Sequence, residues 1–130
     1  MILSREQILA ATQLPEETVA VPEWGGSVIV RGLTGAQRDH YESTLLIQRG
    51  TSREFNLRNA RAKLVAMVCV DEAGKKLFTG ADVEALGQLS AAALNRVWDA
   101  GRRLSGLGDE DVEELVKNSE SDPSVASGSD

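Results

Sequence analysis

Apolar residues recur along this chain with two periods, and the switches between them mark its elements. Ser4-Arg5-Glu6-Gln7 has the composition of a capping box, in which the Ser4 hydroxyl and the Gln7 amide satisfy free amides at a helix start. The helix it opens is expected to run to about Gln13, burying Ile8, Leu9 and Ala11 with Thr12 at the margin, and to stop before Pro15. Glu17 to Val21 and Ser27 to Arg31 then alternate with period two around Pro22-Glu23-Trp24-Gly25-Gly26, whose glycines tolerate positive φ. This predicts a β-hairpin with Val19, Val21, Val28 and Val30 facing a core. An isolated hairpin is marginal in water, so helices must cover it.

The helical period returns at Thr34-Gly35-Ala36-Gln37, a second capping box, and the helix is expected to reach about Gln48, with Arg38 and Glu42 at ion-pair spacing. Gly50-Thr51-Ser52 breaks the pattern, and Asn56 is placed to cap a further helix through Leu57, Ala60, Arg61 and Leu64. From Leu64 to Val70 every residue is apolar, which fits either the buried end of a helix or a short strand. Asp71 to Lys76 reads as a polar turn, and Leu77-Phe78 returns to the core. Thr79 to Asp82 opens a short helix, Val83 to Leu86, ended by Gly87. Ser90 caps the next, on which Leu94, Val97, Trp98, Gly101 and Leu104 form an i, i+3, i+4, i+7 stripe, with Gly106 and Gly108 marking its end. Asp109-Glu110-Asp111 place negative charge at the start of a last helix with Val112, Leu115 and Val116 on its apolar face. From Asn118 onward Ser, Asp, Gly and Pro dominate.

The pattern predicts a helix-rich α+β fold in which an N-terminal β-hairpin packs on a small helical domain. Residues 1–117 form one globular domain, and residues 118–130 an acidic, polar, flexible tail. The length of 130 residues agrees, since it suffices for one core and hardly for two. At 4% aromatic residues, that core must be built from aliphatic side chains. The net charge of −6 is unevenly spread: Asp109 to Asp130 carries eight acids and one base, leaving +1 on residues 1–108. An acidic total opposes generic binding to nucleic acid or to an anionic membrane, because phosphate neutralisation needs cations. The longest apolar run, Leu64 to Val70, is far shorter than the roughly 20 residues of a spanning helix. Met1 to Glu6 has no leader character, so a reducing cytoplasm is the expected location.

Candidate chemistry is sparse. Cys69 among Met67, Val68 and Val70 reads as a buried core thiol rather than a nucleophile, and one cysteine excludes an intrachain disulfide framework. His40, between Asp39 and Tyr41, lacks the second histidine a metal site would want and reads as a surface residue. Neighbouring carboxylates such as Glu16/Glu17, Asp109/Asp111 and Glu113/Glu114 look solvated, unlike an acid–base pair held in contrasting environments. Neither Gly25-Gly26 nor Gly106-Leu107-Gly108 has the lysine and strand–helix setting of a phosphate loop. No catalytic residue, metal site or cofactor site is predicted, and the chain is read as a non-enzyme.

Two features remain as binding candidates. Arg49, Arg53, Arg58, Arg61 and Lys63 place five cations within fifteen residues, with Phe55 available for stacking. A small nucleic-acid-binding regulatory protein using this stretch is therefore the alternative reading; a solvated face, or a patch that docks the acidic C-terminus or an acidic partner, fits the charge balance better. Trp24 at the hairpin tip and Trp98 on the apolar stripe are the two large anchors. Trp98 reads first as core, and Trp24 as either packed or exposed for binding.

The run Val19-Ala20-Val21-Pro22-Glu23-Trp24-Gly25-Gly26-Ser27-Val28-Ile29-Val30-Arg31, followed by Leu33-Thr34-Gly35, resembles the N-terminal hairpin of phage tail assembly chaperones. The same family is suggested by Asp71 to Thr79, Asp82-Val83-Glu84-Ala85-Leu86 and Ser90-Ala91-Ala92-Ala93-Leu94, so the resemblance spans approximately residues 1 to 118. It implies a non-catalytic host-cytoplasmic protein of long-tailed phages or prophages that binds the helical tape-measure protein and helps the tail-tube protein polymerise around it. It also implies absence from the mature virion and, in many members, a longer form made by ribosomal frameshifting. Self-association is left open. On this reading, the expected partner contacts are Trp24 with the stripe of Leu94, Val97 and Trp98, set against an amphipathic partner helix.

Overall fold

Both N-terminal capping boxes form as spelled. In the computed structural model, which describes residues 1–107, Ser4 Oγ accepts from the Gln7 amide at 3.1 Å while Gln7 Oε1 accepts from the Ser4 amide at 2.8 Å. They start α1 (Arg5–Ala10). Thr34 and Gln37 repeat the arrangement at 3.1 and 2.9 Å and start α2 (Gly35–Thr44). Between these helices β1 (Glu16–Val21) and β2 (Gly26–Arg31) pair antiparallel, from Glu16 opposite Arg31 to Val21 opposite Gly26. A 3-10 turn over Pro22–Trp24 joins them, and Gly25 closes it at φ +76°, where a side chain would be strained. Val21 and Val30 are fully buried; Val19 and Val28 pack on the same core.

The all-apolar run resolves into both of its alternatives. α3 (Ala60–Val68) ends inside it, and Cys69–Val70 continue as β5, pairing with Ile29 and Val30 of β2 to give the antiparallel order β1-β2-β5. Sheet position explains the apolar character all round: α3 buries Ala62, Leu64, Val65, Ala66 and Val68, so only one narrow edge of it meets water. α4 (Val83–Gly87) packs on α3 and buries Leu86. α5 (Ala91–Leu104), capped by Ser90, lies across both α3 and the hairpin and buries Ala93, Leu94, Val97, Trp98, Ala100 and Gly101. A Cβ at Gly101 would stand 3.0 Å from Val68 Cγ2, so this glycine lets the two helices approach closely.

Three expectations change. α1 ends at Ala10 rather than near Gln13, and it buries nothing: Ile8 is 55% and Leu9 61% exposed, and Ala11 is exposed as well. Among the described residues no second layer lies over this helix, so its periodicity finds no cover there. α2 stops at Thr44 instead of reaching Gln48, because Leu46–Arg49 form β3, which pairs with β4 (Ser52–Phe55) around Gly50-Thr51. The β-branched Ile47 and the two-residue turn favour a hairpin where the helix would have left Gly50 without a function. Asn56 bonds the Arg58 amide at 3.0 Å, but α3 begins after Asn59, held left-handed at φ +59°. The expected last helix from Asp109 and the tail 118–130 lie outside the described residues.

Candidate partner-binding surfaces

The stripe expected to meet a partner is turned inward. Leu94 is 6%, Val97 0% and Trp98 9% exposed, all within the one hydrophobic core. Above Trp98 the Arg61 guanidinium sits 5.4 Å from the ring centroid, a cation–π contact that covers the remaining edge. Trp24 closes the 3-10 turn against α5, half-buried, with its indole Nε1 buried and lacking a hydrogen-bond acceptor. Beside it, the Glu23 carboxylate accepts from Arg96 Nε at 2.9 Å, which clamps the hairpin tip to α5 and holds the Glu23 carboxyl below its usual range. Glu17 and Arg103 make a second clamp at 2.9 Å at the other end of the hairpin. These four candidate residues thus share one region, with Trp24 alone keeping a substantial outward face.

Sequence reasoning missed the largest apolar exposure among the described residues. Met1, Ile2, Leu3, Ile8 and Leu9 are 100, 97, 53, 55 and 61% exposed. They sit on and just before a helix whose first turn is already capped. Five large aliphatic side chains within nine residues form a patch of the kind that monomeric proteins seldom leave open without use. The signal was present in the spacing of Ile8 and Leu9; what it lacked was any indication of what lies opposite them.

Three cations of the basic stretch are engaged within the fold. Arg58 pairs with Glu84 at 3.1 Å, Arg61 stacks on Trp98, and Lys63 Nζ donates to the Thr44 carbonyl at 3.0 Å. Arg49 and Arg53 lie on β3 and β4, opposite Ser52 and Gln48 respectively. Arg58 and Lys63 do line a cleft of about 770 Å³, whose floor includes Ala66, Met67, Phe78 and Val83 and whose rim includes His40 and Lys76. Glu84, the acid in this lining, is engaged by both Arg58 and the Asn59 amide, the latter at 2.9 Å.

Cys69 and His40 lie where the sequence placed them, one in the core and one at the surface. Cys69 is fully buried, and loss of solvation pushes its thiol up to about 12, which suppresses the thiolate a nucleophile needs. His40 is exposed on α2. Among the described residues no group of three or more His, Cys, Asp and Glu side chains is placed to hold a metal ion. No helix among them is long and apolar enough to cross a membrane. Asp109, Asp111, Glu113 and Glu114 lie outside the described residues.

Comparison with known proteins narrows the field to one family. No curated protein and no solved structure matches the chain. A family model described as phage tail assembly chaperone matches residues 4–118, which takes in the capped α1, the β1–β2 hairpin and every later element of the described fold. The match covers the clamped hairpin, the helical core and the exposed Ile8 and Leu9 of α1, and the chain belongs to the phage tail assembly chaperone family.

Proposed function

We propose that this chain binds the tape-measure protein during tail assembly, keeps it soluble, and assists polymerisation of the tail-tube protein around it, without catalysis. It acts in the host cytoplasm and is released before the virion is complete. Membership of a chaperone family supports the reading. The observation that carries it is the exposed aliphatic set Met1, Ile2, Leu3, Ile8 and Leu9, on and just before a pre-capped helix. A long amphipathic helix has an apolar stripe to hide, and an open aliphatic segment already held in shape covers such a stripe with little further loss of entropy. Trp24, at the hairpin tip, is the second proposed contact. Leu94, Val97 and Trp98 then act from behind, as the packing that holds the hairpin in place.

Co-expression with overlapping tape-measure fragments tests this. The full chain is expected to bring at least one fragment into the soluble fraction as a complex. Burying Ile8 and Leu9 is worth about 1.5–3 kcal/mol each, so Ile8→Asp with Leu9→Asp should weaken the complex by more than about tenfold. Trp24→Ala should weaken it less. Full-strength binding by both variants, or failure of the unaltered chain to solubilise any fragment, overturns the proposal.

A further inference from the structure

Asn59, Lys63 and Met67 recur every four residues at the start of α3 and along it, and all three line the cleft of about 770 Å³. From the first to the last the helix rises about 12 Å, which gives the cleft a long wall. Both ends of that wall are cationic. At its start, Arg58 and Asn59 hold Glu84 of α4 at 3.1 and 2.9 Å. Beyond its end the chain turns back: the Leu77 amide donates to the Cys69 carbonyl at 3.1 Å and Lys76 bridges Val70, which brings Phe78 and the exposed Lys76 to the cleft. In the middle, Lys63 Nζ donates to the Thr44 carbonyl, a neutral partner. Apolar Ala66, Met67, Phe78 and Val83 lie between.

Three cations face one carboxylate in this lining, an excess of two positive charges. The Arg58–Glu84 pair is largely exposed, so it contributes little and leaves Arg58 able to exchange its partner. A ligand with a single charged head would answer only one end. The arrangement matches apolar side chains with carboxylates on both sides of them, a pattern that a polypeptide supplies. We propose that this cleft docks a segment of another polypeptide in which apolar side chains stand between acidic ones. The apolar groups rest on Met67, Phe78 and Val83, and the carboxylates meet Arg58 at one end and Lys63 and Lys76 toward the other. The described lining begins at His40, so the site does not draw on α1 and stands whichever polypeptide the exposed aliphatic segment holds.

Titration of the full chain with blocked synthetic peptides, followed by amide chemical shifts, tests this. The peptide EELVLEE should shift amides within residues 63–67 and 78–83 saturably, and about 0.5 M salt, where screening is within about 4 Å, should weaken it at least about fivefold. KKLVLKK, with the charge reversed, and EEGSGEE, with the apolar groups removed, should each bind at least about tenfold more weakly. Lys63→Glu should weaken EELVLEE, and Lys76→Glu, at an exposed position where folding is not at stake, should do so at least about fivefold. Lys75→Glu, equally exposed but outside the lining, should leave the affinity within about twofold. No saturable shift at these amides, or equal losses from Lys75→Glu and Lys76→Glu, overturns the proposal. Decanoate binding as tightly as EELVLEE overturns it in favour of a single-headed amphiphile. Movement of the same amides in the free Glu113→Lys with Glu114→Lys variant overturns it in favour of the chain's own acidic segment. No tape-measure fragment enters the titration, so its failure and a failure to solubilise such fragments are read separately.

Discussion

α1 and α5 have the same kind of sequence and opposite fates. Each opens on a serine cap and sets aliphatic residues at helical spacing. α5 is fourteen residues long, crosses the hairpin and α3, and buries six residues; α1 is six residues long and buries none. An apolar stripe states which face of a helix will avoid water, but another element has to supply the cover. In α5 that element is in the same chain. For α1 no such element is found among the described residues, and there its exposed stripe has most to gain from a partner.

The comparison breaks first where the covered side is strongest. Leu64 is fully buried in α3 beneath α5, and Leu64→Ala should destabilise the fold by about 2–5 kcal/mol, read as a lower urea midpoint with an unchanged slope. A loss below about 1 kcal/mol would mean that the α3–α5 core is far looser than its burial indicates.

Alkali attacks the same region. Burial raises the Cys69 thiol from 9.0 to about 12 and pushes the Tyr41 hydroxyl above its usual range too. Between these limits the unfolded chain has released the thiol proton and the native chain still holds it, so stability should fall as pH rises from about 9 to 12, by up to about 1.4 kcal/mol per unit for this one group. Cys69→Ala should flatten the slope. An equal slope in the variant would show that the thiol is solvated in the native state.

A smaller effect is expected where a single bond ties α2 to α3. The Tyr41 hydroxyl donates to the Ala60 carbonyl at 3.0 Å, and Tyr41→Phe should cost about 0.5–1.5 kcal/mol in chemical denaturation. The smallest effect belongs to the uncovered side. Ile8→Asp with Leu9→Asp should leave the denaturation midpoint within about 0.5 kcal/mol of the unaltered chain, as expected for side chains that touch no core. A loss comparable to Leu64→Ala would place α1 in the core and remove the contrast.

Local chemistry made much of this fold legible in the sequence. The serine and threonine caps, the β1–β2 hairpin and the core positions of Cys69 and Trp98 follow from short-range rules that the tertiary structure did not override. What short-range rules do not carry is the long-range partner. The end of α2 was misplaced because Leu46 and Ile47 fit a helix as readily as a strand until β4 arrives to pair with them. The Leu64 to Val70 run could be neither helix nor strand alone because β2 captures its last two residues. Ile8 and Leu9 were expected inside for the same reason, and the expected contact stripe of α5 lies inside because the hairpin already occupies it. The cleft beside α3 had no sequence signal, being assembled from α2, α3, α4 and the loop from Lys76 to Gly80.

Amide hydrogen exchange on the chain alone and in complex with a tape-measure fragment tests the central claim most directly. The account predicts that protection gained on binding falls on residues 1–11 and the Trp24 turn, while the amides of α5, already protected in the free chain, are unchanged. Protection confined to other surfaces, or an α5 that opens and exchanges faster in the complex, would contradict it.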